Sequence, residues 1–406
     1  MAYVKQSWEN YPSTATPINA TRLAHMEDGI FNASRFFNIR DFGAVGDGVT
    51  DDTAAIHAAM RAAMYGGTVE VPQGIFLISS PIGLWGAAWE YDPAVLPESV
   101  RHVILQGTGG RYACTLKVNG AFPAISGLFD YCQIRNINCD IDNQGASGID
   151  IGGTHQLLEH VTVQKWGNTT NARTYPSVAG VKLGSDTYDT GHGYLNRILD
   201  VHVDSPESGR YGFGIDIGYR CTDSWLDRVN VGSTEANIMC QGGPLRISNS
   251  HLNGYPTRPR HNVLLQGGRR TFIFNNILES AREESIKHIA ADEAWNTDLD
   301  QQFHIRGNNI SNGGSDSPGT YAAIYLQGKN LSEKIRGVVI ADNQIACEQV
   351  GDEWGYAVHL KWWDEITIVG NNWYDGFTEA DPVELEACGT FYEVVGNGGR
   401  NTVTVI

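Results

Sequence analysis

A short β-strand pattern recurs along residues 100–390, and this repetition constrains the fold more than any other feature of the chain. In each copy, apolar and polar residues alternate over four residues and a glycine or another turn residue follows. Clear copies are GIDIGG, GVKLGS and GIDIGY, which begin at Gly148, Gly180 and Gly214. Looser copies begin near residues 237, 262, 323, 357 and 382, and most neighbouring copies lie 23 to 34 residues apart. A period of this length is typical of solenoids, in which each repeat forms one coil.

A single copy is too short to bury a hydrophobic core, so stacked copies must share one. Strands of neighbouring coils would pair in parallel about 4.8 Å apart, with apolar side chains inside and polar ones outside. Four asparagines fall at one equivalent turn of successive copies: Asn275, Asn308, Asn343 and Asn371. We expect their amides to hydrogen-bond from coil to coil. The sequence therefore predicts an all-β solenoid of parallel strands with roughly nine to ten coils.

The segment Thr50–Met64 predicts an α-helix over residues 51–65, with Asp51 or Asp52 as its N-cap. One face of this helix is apolar and consists of Ile56, Ala59, Met60 and Ala63. Because the open end of a solenoid exposes apolar side chains and strand edges, we expect the helix to cover that end. We divide the chain into an N-terminal segment (1–35), a capping region with the first coil (36–99), the main coil region that carries the site (100–396) and a C-terminal strand (397–406).

The charge balance excludes several classes of partner. Lys and Arg total 29 and Asp and Glu total 46, so the net charge is −17. Nucleic acids and anionic membranes would be repelled, and no apolar run reaches the ~18 residues of a membrane span. The stretch MAYVKQSWEN lacks the apolar segment of a signal peptide, and the seven cysteines form no C-x-x-C pair. We therefore expect folding in a reducing compartment, with no nucleic acid, membrane insertion, metal or cofactor.

A long motif runs from Phe37 to Ser79: FNIRDFGAVGDGVTDDTAAIHAAM followed by GGTVEVPQGIFLIS. It resembles the start of pectate-lyase-like right-handed β-helix proteins. The resemblance implies a right-handed parallel β-helix. It also implies a role on carbohydrate, because many members of that superfamily are polysaccharide lyases, glycoside hydrolases or epimerases.

The segment Trp8–Ile30, WENYPSTATPINATRLAHMEDGI, resembles the N-terminal segment of tail, baseplate or spike proteins of phages and prophages of Gram-positive bacteria. Its pattern predicts an amphipathic helix that starts near Asn19 and carries Leu23, Met26 and Ile30 on one face. Such a helix is too short to be stable alone, so residues 1–35 are expected to attach to tail or baseplate proteins or to a second copy of the chain. Packing against the base of the coils is the alternative.

Assembly is also expected from apolar residues at positions that should point outward, namely Met239, Leu264 and Leu278. Contiguous exposed apolar patches usually mark an interface. Spike proteins of the resembled family are typically homotrimers, so the resemblance implies a homotrimer located in the virion tail.

Candidate chemistry lies on the second strand of three successive copies, where the outward position reads Asp150, Lys182 and Asp216. Two coil spacings would place the aspartates about 9.6 Å apart, near the upper end of the separation in inverting glycosidases. A solvated salt-bridge ladder would produce the same pattern. Because Lys182 favours charged aspartates, the general acid would come from Asp204 or Glu279. For Glu279 the alternative is a hydrogen-bonded turn residue.

Substrate-binding candidates surround these carboxylates: Lys182, His202, Trp225, Tyr219 and Arg220. Aromatic rings stack on the apolar faces of sugars, although core stacking or subunit contacts would use the same residues.

The first interpretation is a phage tailspike enzyme that cleaves a bacterial surface polysaccharide, by hydrolysis in preference to elimination. An elimination would need a cation and a base, for which the candidates are Lys182, Arg210, Arg220 and His192. The second interpretation is a tail adhesin that binds the same glycan without cleaving it. A bacterial pectinase-like enzyme is a third, disfavoured by the expected absence of a signal peptide.

Overall fold

Three long parallel β-sheets wind around one hydrophobic core in this computed structural model, and together they form a right-handed parallel β-helix. The chain visits the sheets in a fixed order, which we name A, B and C, and each full circuit makes one coil. The structure describes the following residues: 20–33, 35–63, 66–83, 102–169, 178–184, 193–218, 221–254, 256–266, 270–290, 300–330, 334–347, 349, 351–374, 377–378, 381–390, 392–398 and 402–406.

The described strands number 13 in sheet A, 12 in sheet B and 11 in sheet C. Sheet A consists of Phe36–Asn38, Gly67–Val71, Val103–Gly107, Gln133–Arg135, Leu157–Glu159, Arg197–Leu199, Ser224–Asp227, Leu245–Ser248, Thr271–Phe274, Asp300–Arg306, Ile335–Ala341, Trp363–Val369 and Tyr392–Val395. Sheet B consists of Asp47–Asp51, Gly74–Ile78, Cys114–Val118, Asn138–Asp140, Thr162–Gln164, His202–Val203, Asn230–Gly232, His251–Asn253, Ile277–Glu279, Asn309–Ser311, Gln344–Ala346 and Asn372–Trp373. Sheet C consists of Ile125–Leu128, Ile149–Gly152, Ala179–Leu183, Phe213–Ile217, Ala236–Cys240, His261–Gln266, Ile286–Ile289, Ala322–Gln327, Tyr356–Lys361, Val383–Glu386 and Val403–Val405.

The predicted architecture is confirmed, but the described coils outnumber the nine to ten expected from the sequence. Sheet A already begins at Phe36–Asn38, and the strand Val403–Val405 continues sheet C. Twelve strand spacings in sheet A correspond to a rod about 58 Å long. The domain boundaries at residues 99 and 396 stay predictions, and the sheets run across both positions.

The core is filled by the inward side chains of all three sheets, which alternate with outward polar ones. Trp166, Trp354 and Trp363 are fully buried. The ring of Trp363 meets that of Phe303 edge-on at 5.2 Å between centroids, and His288 lies against both. These tryptophans therefore stabilise the rod and are unavailable to a ligand.

The asparagine ladder forms at the turn between sheets A and B, but Asn276 takes the place predicted for Asn275. Its described members are Asn276, Asn308, Asn343, Asn371 and Asn397, and each side chain donates to the amide oxygen of the next at 2.8–3.0 Å. The prediction of Asn275 is wrong, because this residue occupies the left-handed turn position with φ 55°. A glycine or aspartate takes that position in the later coils, and the inward amide is always the residue that follows it.

The capping helix spans Thr53–Ala62, and its buried face includes Ile56, Ala59 and Met60. The side chain of Asp51 accepts a hydrogen bond from the Thr53 backbone N–H at 3.0 Å. The Asp52 carboxylate instead accepts from Val45 and Gly46, at 2.6 and 3.0 Å. Gly46 has φ +73°, and a Cβ there would lie 2.6 Å from the Phe76 ring. The glycines of this motif therefore serve a tight turn that closes the end of the rod.

The apolar residues expected to point outward are not an exposed patch. The prediction that Leu278 points outward is wrong, because its side chain lies in the main core. Met239 is buried in a small cluster on sheet C with Ala179, Phe213 and Ala236, and Leu264 packs against it half-buried. These residues therefore give no support to a subunit interface.

The N-terminal helix spans Ala20–Ala33 and starts one residue after the predicted position. Met26, predicted on its apolar face, is 62% exposed. None of the described helices is long and apolar enough to cross a membrane. All seven cysteines carry free thiols, five of them buried, and burial raises the pKa of Cys132, Cys139 and Cys221 to about 12.

Candidate functional site

An open groove of about 640 Å³ lies on the outer face of sheet B in the C-terminal half of the rod. Its lining consists of Glu279, Asn309, Ser311, Asn312, Gln344, Ala346, Cys347 and Tyr374. The strands are parallel and in register, so outward side chains of successive strands stack in columns along the rod. Such columns present hydrogen-bonding groups at regular intervals, which suits an extended polymer.

Glu279 is the carboxylate of this groove, and it pairs with a histidine of the neighbouring strand. His251 Nε2 lies 3.0 Å from Glu279 Oε2, and both side chains are part-exposed. Glu279 is the last residue of the strand Ile277–Glu279. At the same register position, the next two strands carry Ser311 and Ala346. The small neighbours leave the carboxylate accessible. Glu279 is therefore placed to exchange a proton with a bound molecule, with His251 as its partner.

A second pair of the same kind lies nearer the N-terminus on sheet B. His202 Nε2 is 2.6 Å from Asp204 Oδ1, so two of the predicted residues do come together. The strands of Asp204 and Glu279 are three spacings apart, about 14 Å. That distance exceeds the roughly 6.5–9.5 Å that separates the carboxyl groups of inverting glycosidases. Asp204 and Glu279 therefore do not have the spacing of the carboxylate pair of an inverting glycosidase.

The predicted ladder on sheet C is present, but it is covered. Asp150 pairs in register with Lys182, and Lys182 with Asp216. Asp216 is 0% exposed and Lys182 is 4% exposed, while Asp150 is half-buried. The expectation that all three face an open groove is wrong, because a polymer cannot reach the buried pair. The burial of Lys182 and Asp216 also contradicts the alternative of a solvated salt-bridge ladder, and a catalytic role for Asp150 and Asp216 stays a prediction.

The remaining predicted binding residues do not gather at the groove. Trp225 lies on the outer face of sheet A, against Arg197 and Arg246. Arg210 donates to the Gly167 carbonyl at 3.0 Å. Tyr219, Arg220 and His192 lie outside the described residues.

Sequence reasoning missed His251, and no motif marks it. It also left unassigned a polar cluster on the C-terminal part of sheet C. There, His359 lies 3.3 Å from both Glu384 and Glu386, and Tyr325 packs on its ring. Burial raises the pKa of Tyr325 to about 12, and the hydrogen bond from Lys361 lowers the pKa of Glu386. The repeat offered a signal, since Tyr325, His359 and Glu384 occupy the same outward position in successive strands.

Among the residues that the structure describes, one group has the donor types and spacing to hold a metal ion: His261, Glu283 and Glu284. Burial lowers the pKa of His261 to about 3, so its imidazole is neutral. However, Arg260 donates two hydrogen bonds to Glu283, at 2.8 and 2.9 Å, and Lys287 donates to Glu284 at 3.1 Å. The carboxylates are already neutralised, so the cluster works as an internal ion-pair network.

Comparison with known proteins agrees with this architecture. A family model described as "Rhamnogalacturonase A/epimerase, pectate lyase-like" matches residues 36–316. The chain is 58% identical over 134 residues to mannuronan C5-epimerase AlgE3 of Azotobacter vinelandii, covering 32% of this chain and 7% of that protein. It is 41% identical over 126 residues to alginate lyase 7 of the same organism, covering 30% and 13%. The chain thus spans a small part of the length of these relatives.

Solved structures with similar folds include phage proteins. ORF18 of Geobacillus virus E2 superposes with a TM-score of 0.55 at 15% identity, covering 94% of this chain and 64% of that one. The Dettilon tailspike protein superposes with a TM-score of 0.52 at 12% identity, covering 92% and 69%. At these identities the likeness establishes the β-helix fold.

Proposed function

Since this chain belongs to the pectate-lyase-like family of rhamnogalacturonase A and epimerases, we propose that it is the glycan-cleaving rod of a phage tailspike. A bacterial surface polysaccharide would lie along the groove of sheet B, and Glu279 would protonate the leaving glycosidic oxygen. The observation that carries this proposal is that Glu279 lies on the wall of an open groove and pairs with His251 of the neighbouring strand. The similar fold of the Dettilon tailspike protein and of ORF18 of Geobacillus virus E2 supports the proposal of a place in a phage tail.

Hydrolysis fits the groove better than elimination does. Elimination at a uronate needs a positive group to neutralise the sugar carboxylate. Within the described lining there is no Lys or Arg, and the net charge of the chain is −17. The amides of Asn309, Asn312 and Gln344 can instead hydrogen-bond sugar hydroxyls. We infer that the sugar units bound beside Glu279 are neutral.

The chemistry assigned to Glu279 is proton transfer to the leaving oxygen while water attacks the anomeric carbon. The attacking water gives up its proton to the solvent, from which Glu279 is protonated again. General acid catalysis of this kind contributes about 10²- to 10⁴-fold to a rate. The imidazole of His251, whose Nε2 lies 3.0 Å from Glu279 Oε2, orients the carboxyl group. His251 is therefore a positioning residue in this scheme.

Binding without cleavage is the second candidate function. It is favoured by one observation: among the described residues, the exposed groove holds no second carboxylate at the hydrolytic distance from Glu279. A tail adhesin would need the groove and its amides, but it would not need Glu279.

The test compares Glu279→Gln with wild type on a panel of polysaccharides extracted from Gram-positive cell envelopes. Reducing ends report hydrolysis, and absorbance at 235 nm reports the unsaturated products of elimination. Glu279→Gln should cut reducing-end release at least 100-fold and leave binding and melting temperature unchanged. Glu393→Gln, an exposed carboxylate change on sheet A, is the matched control and should behave like wild type.

Three outcomes would count against this assignment. Product absorbing at 235 nm would show elimination, and glycan binding with no product from wild type would show an adhesin. Full activity of Glu279→Gln, with loss in a well-folded Asp150→Asn variant, would move the catalytic site to sheet C.

We also propose a homotrimer that attaches to the tail through residues 1–35. The support within the described chain is Met26, whose side chain is left largely exposed on the helix face expected to be apolar. A second copy of the helix would cover it. Light scattering should give about three times the chain mass of 44.4 kDa, and a mass equal to one chain would refute the trimer.

A further inference from the structure

The outer face of sheet A carries an unusual column of cationic and aromatic side chains. Arg197, Trp225, Arg246, Phe272 and His304 occupy the same outward position in five successive strands. The parallel register stacks them along the rod axis, one strand spacing apart. This column lies on a different sheet from the Glu279 groove, and the proposed cleavage uses none of its residues.

The rings of the column hold its guanidinium groups in place. The guanidinium carbon of Arg246 lies 4.8 Å from the Trp225 ring centroid and that of Arg197 lies 5.6 Å from it. Arg246 also lies 5.9 Å from the ring of Phe274. Cation–π contacts of this kind are favourable at exposed sites. Both arginine side chains are therefore exposed and lie against an aromatic ring before any ligand binds.

Among the described residues, neither Arg197 nor Arg246 has a carboxylate within ion-pair distance. The Asp223 carboxylate belongs to the lining of the pocket beside Arg246, but it forms no ion pair with that residue. The nearby Asp227 is already engaged, since it pairs with Arg228 at 2.6 Å and accepts from Ser248 and Asn249 at 2.8 Å. Two exposed cations with no ionic partner among the described residues, on a chain with net charge −17, mark a place where an anion is attracted.

A shallow pocket of about 400 Å³ lies beside this cation pair. Its lining is Asp223, Ser224, Trp225, Pro244, Leu245, Arg246, Phe272 and Phe274. Trp225 is 36% exposed there. The pocket joins aromatic surface to a guanidinium, which suits a ring with an apolar face and an attached carboxylate. An acidic sugar has both features.

We propose that sheet A carries an accessory binding site for carboxylate-bearing sugar units of a polysaccharide. The carboxylate would pair with Arg246, and the sugar ring would lie on the exposed surface of Trp225 and Phe272. Arg197 and Arg246 lie two strands apart, about 9.6 Å, so a polymer with regularly spaced carboxylates engages both. The site holds the polymer on the rod independently of its cleavage at Glu279.

The experiment measures binding of polygalacturonate and alginate, with neutral dextran as the uncharged probe, by isothermal titration calorimetry and tryptophan fluorescence. Arg246→Gln and Trp225→Ala should each weaken binding of the acidic polymers at least 10-fold, and raised salt should weaken binding to wild type. Dextran should give no signal that depends on these residues. Arg306→Gln is the matched control, because Arg306 lies on the same sheet but pairs with Asp342 at 3.2 Å.

The Glu279→Gln variant separates this site from the proposed cleavage function. It should bind the acidic polymers as wild type does, whether or not wild type cleaves any glycan. Wild type that binds neither acidic polymer would overturn the accessory site, as would unchanged affinity in both Arg246→Gln and Trp225→Ala. A drop in the light-scattering mass of Arg246→Gln, without loss of binding, would also overturn it and identify the column as an interface between copies.

Discussion

Replacing Asn308 by alanine should destabilise the rod far more than an ordinary surface change. The Asn308 amide oxygen accepts from the backbone N–H and the side chain of Asn276, both at 3.0 Å. Its amide nitrogen donates to the Ile273 carbonyl at 3.0 Å and to the Asn343 amide oxygen at 2.9 Å. The residue is buried, so water cannot replace these partners.

The magnitude follows from which groups lose their partners. After Asn308→Ala, the Asn276 side chain still donates to the Ile247 carbonyl and the Asn343 amide oxygen still accepts from the residue 308 backbone. The Asn276 backbone N–H loses its side-chain acceptor and the Ile273 carbonyl loses an amide donor. At about 1–3 kcal/mol for each of these two buried groups, the expected loss is about 2–6 kcal/mol.

Guanidinium unfolding followed by tryptophan fluorescence measures this loss. Asn309→Ala makes the same chemical change one residue along, where the side chain is exposed, and should cost under about 0.5 kcal/mol. A loss below about 1 kcal/mol for Asn308→Ala, equal to that of the control, would refute the view that the ladder stabilises the rod.

Three further predictions concern pH, burial and assembly. Burial lowers the pKa of His288 to about 3, below its unfolded value of 6.5, so the unfolded state binds more protons and stability falls as pH drops below 6.5. When the pH is lowered from 7 to 5, the free energy of unfolding of His288→Phe should fall by about 2 kcal/mol less than that of wild type. Guanidinium denaturation at the two pH values measures this difference. Asp216→Asn should cost about 3 kcal/mol in the same assay, because it removes a negative charge in register with the buried Lys182 on the neighbouring strand, and a melting temperature equal to wild type would contradict this. Deleting residues 1–35 should reduce the light-scattering mass to that of one chain without changing the far-ultraviolet circular dichroism of the rod.

The amino-acid sequence by itself determined the architecture, because the β-helix is a local repeat. Alternating side chains in each short strand decide which residues enter the core, and the turn residues decide where each coil bends. That is why the sequence alone places GVKLGS and GIDIGY on adjacent strands, with Lys182 beside Asp216. The same local logic located three of the ladder asparagines. It misassigned Asn275, since two neighbouring asparagines compete for one inward position and only the backbone conformation decides between them.

Exposure and pairing were decided only by the tertiary structure. Whether an outward side chain meets solvent depends on how the rest of the chain packs over it, which no strand pattern encodes, and so the expected exposure of Asp216 was wrong. The Glu279–His251 pair joins residues 28 positions apart on neighbouring strands. The number of residues between such strands depends on the length of the coil that connects them. Trp225 was placed with the carboxylates from sequence proximity, yet it faces away on sheet A. A coil turns the chain through three faces within one repeat, so nearness in sequence does not decide which face a side chain occupies.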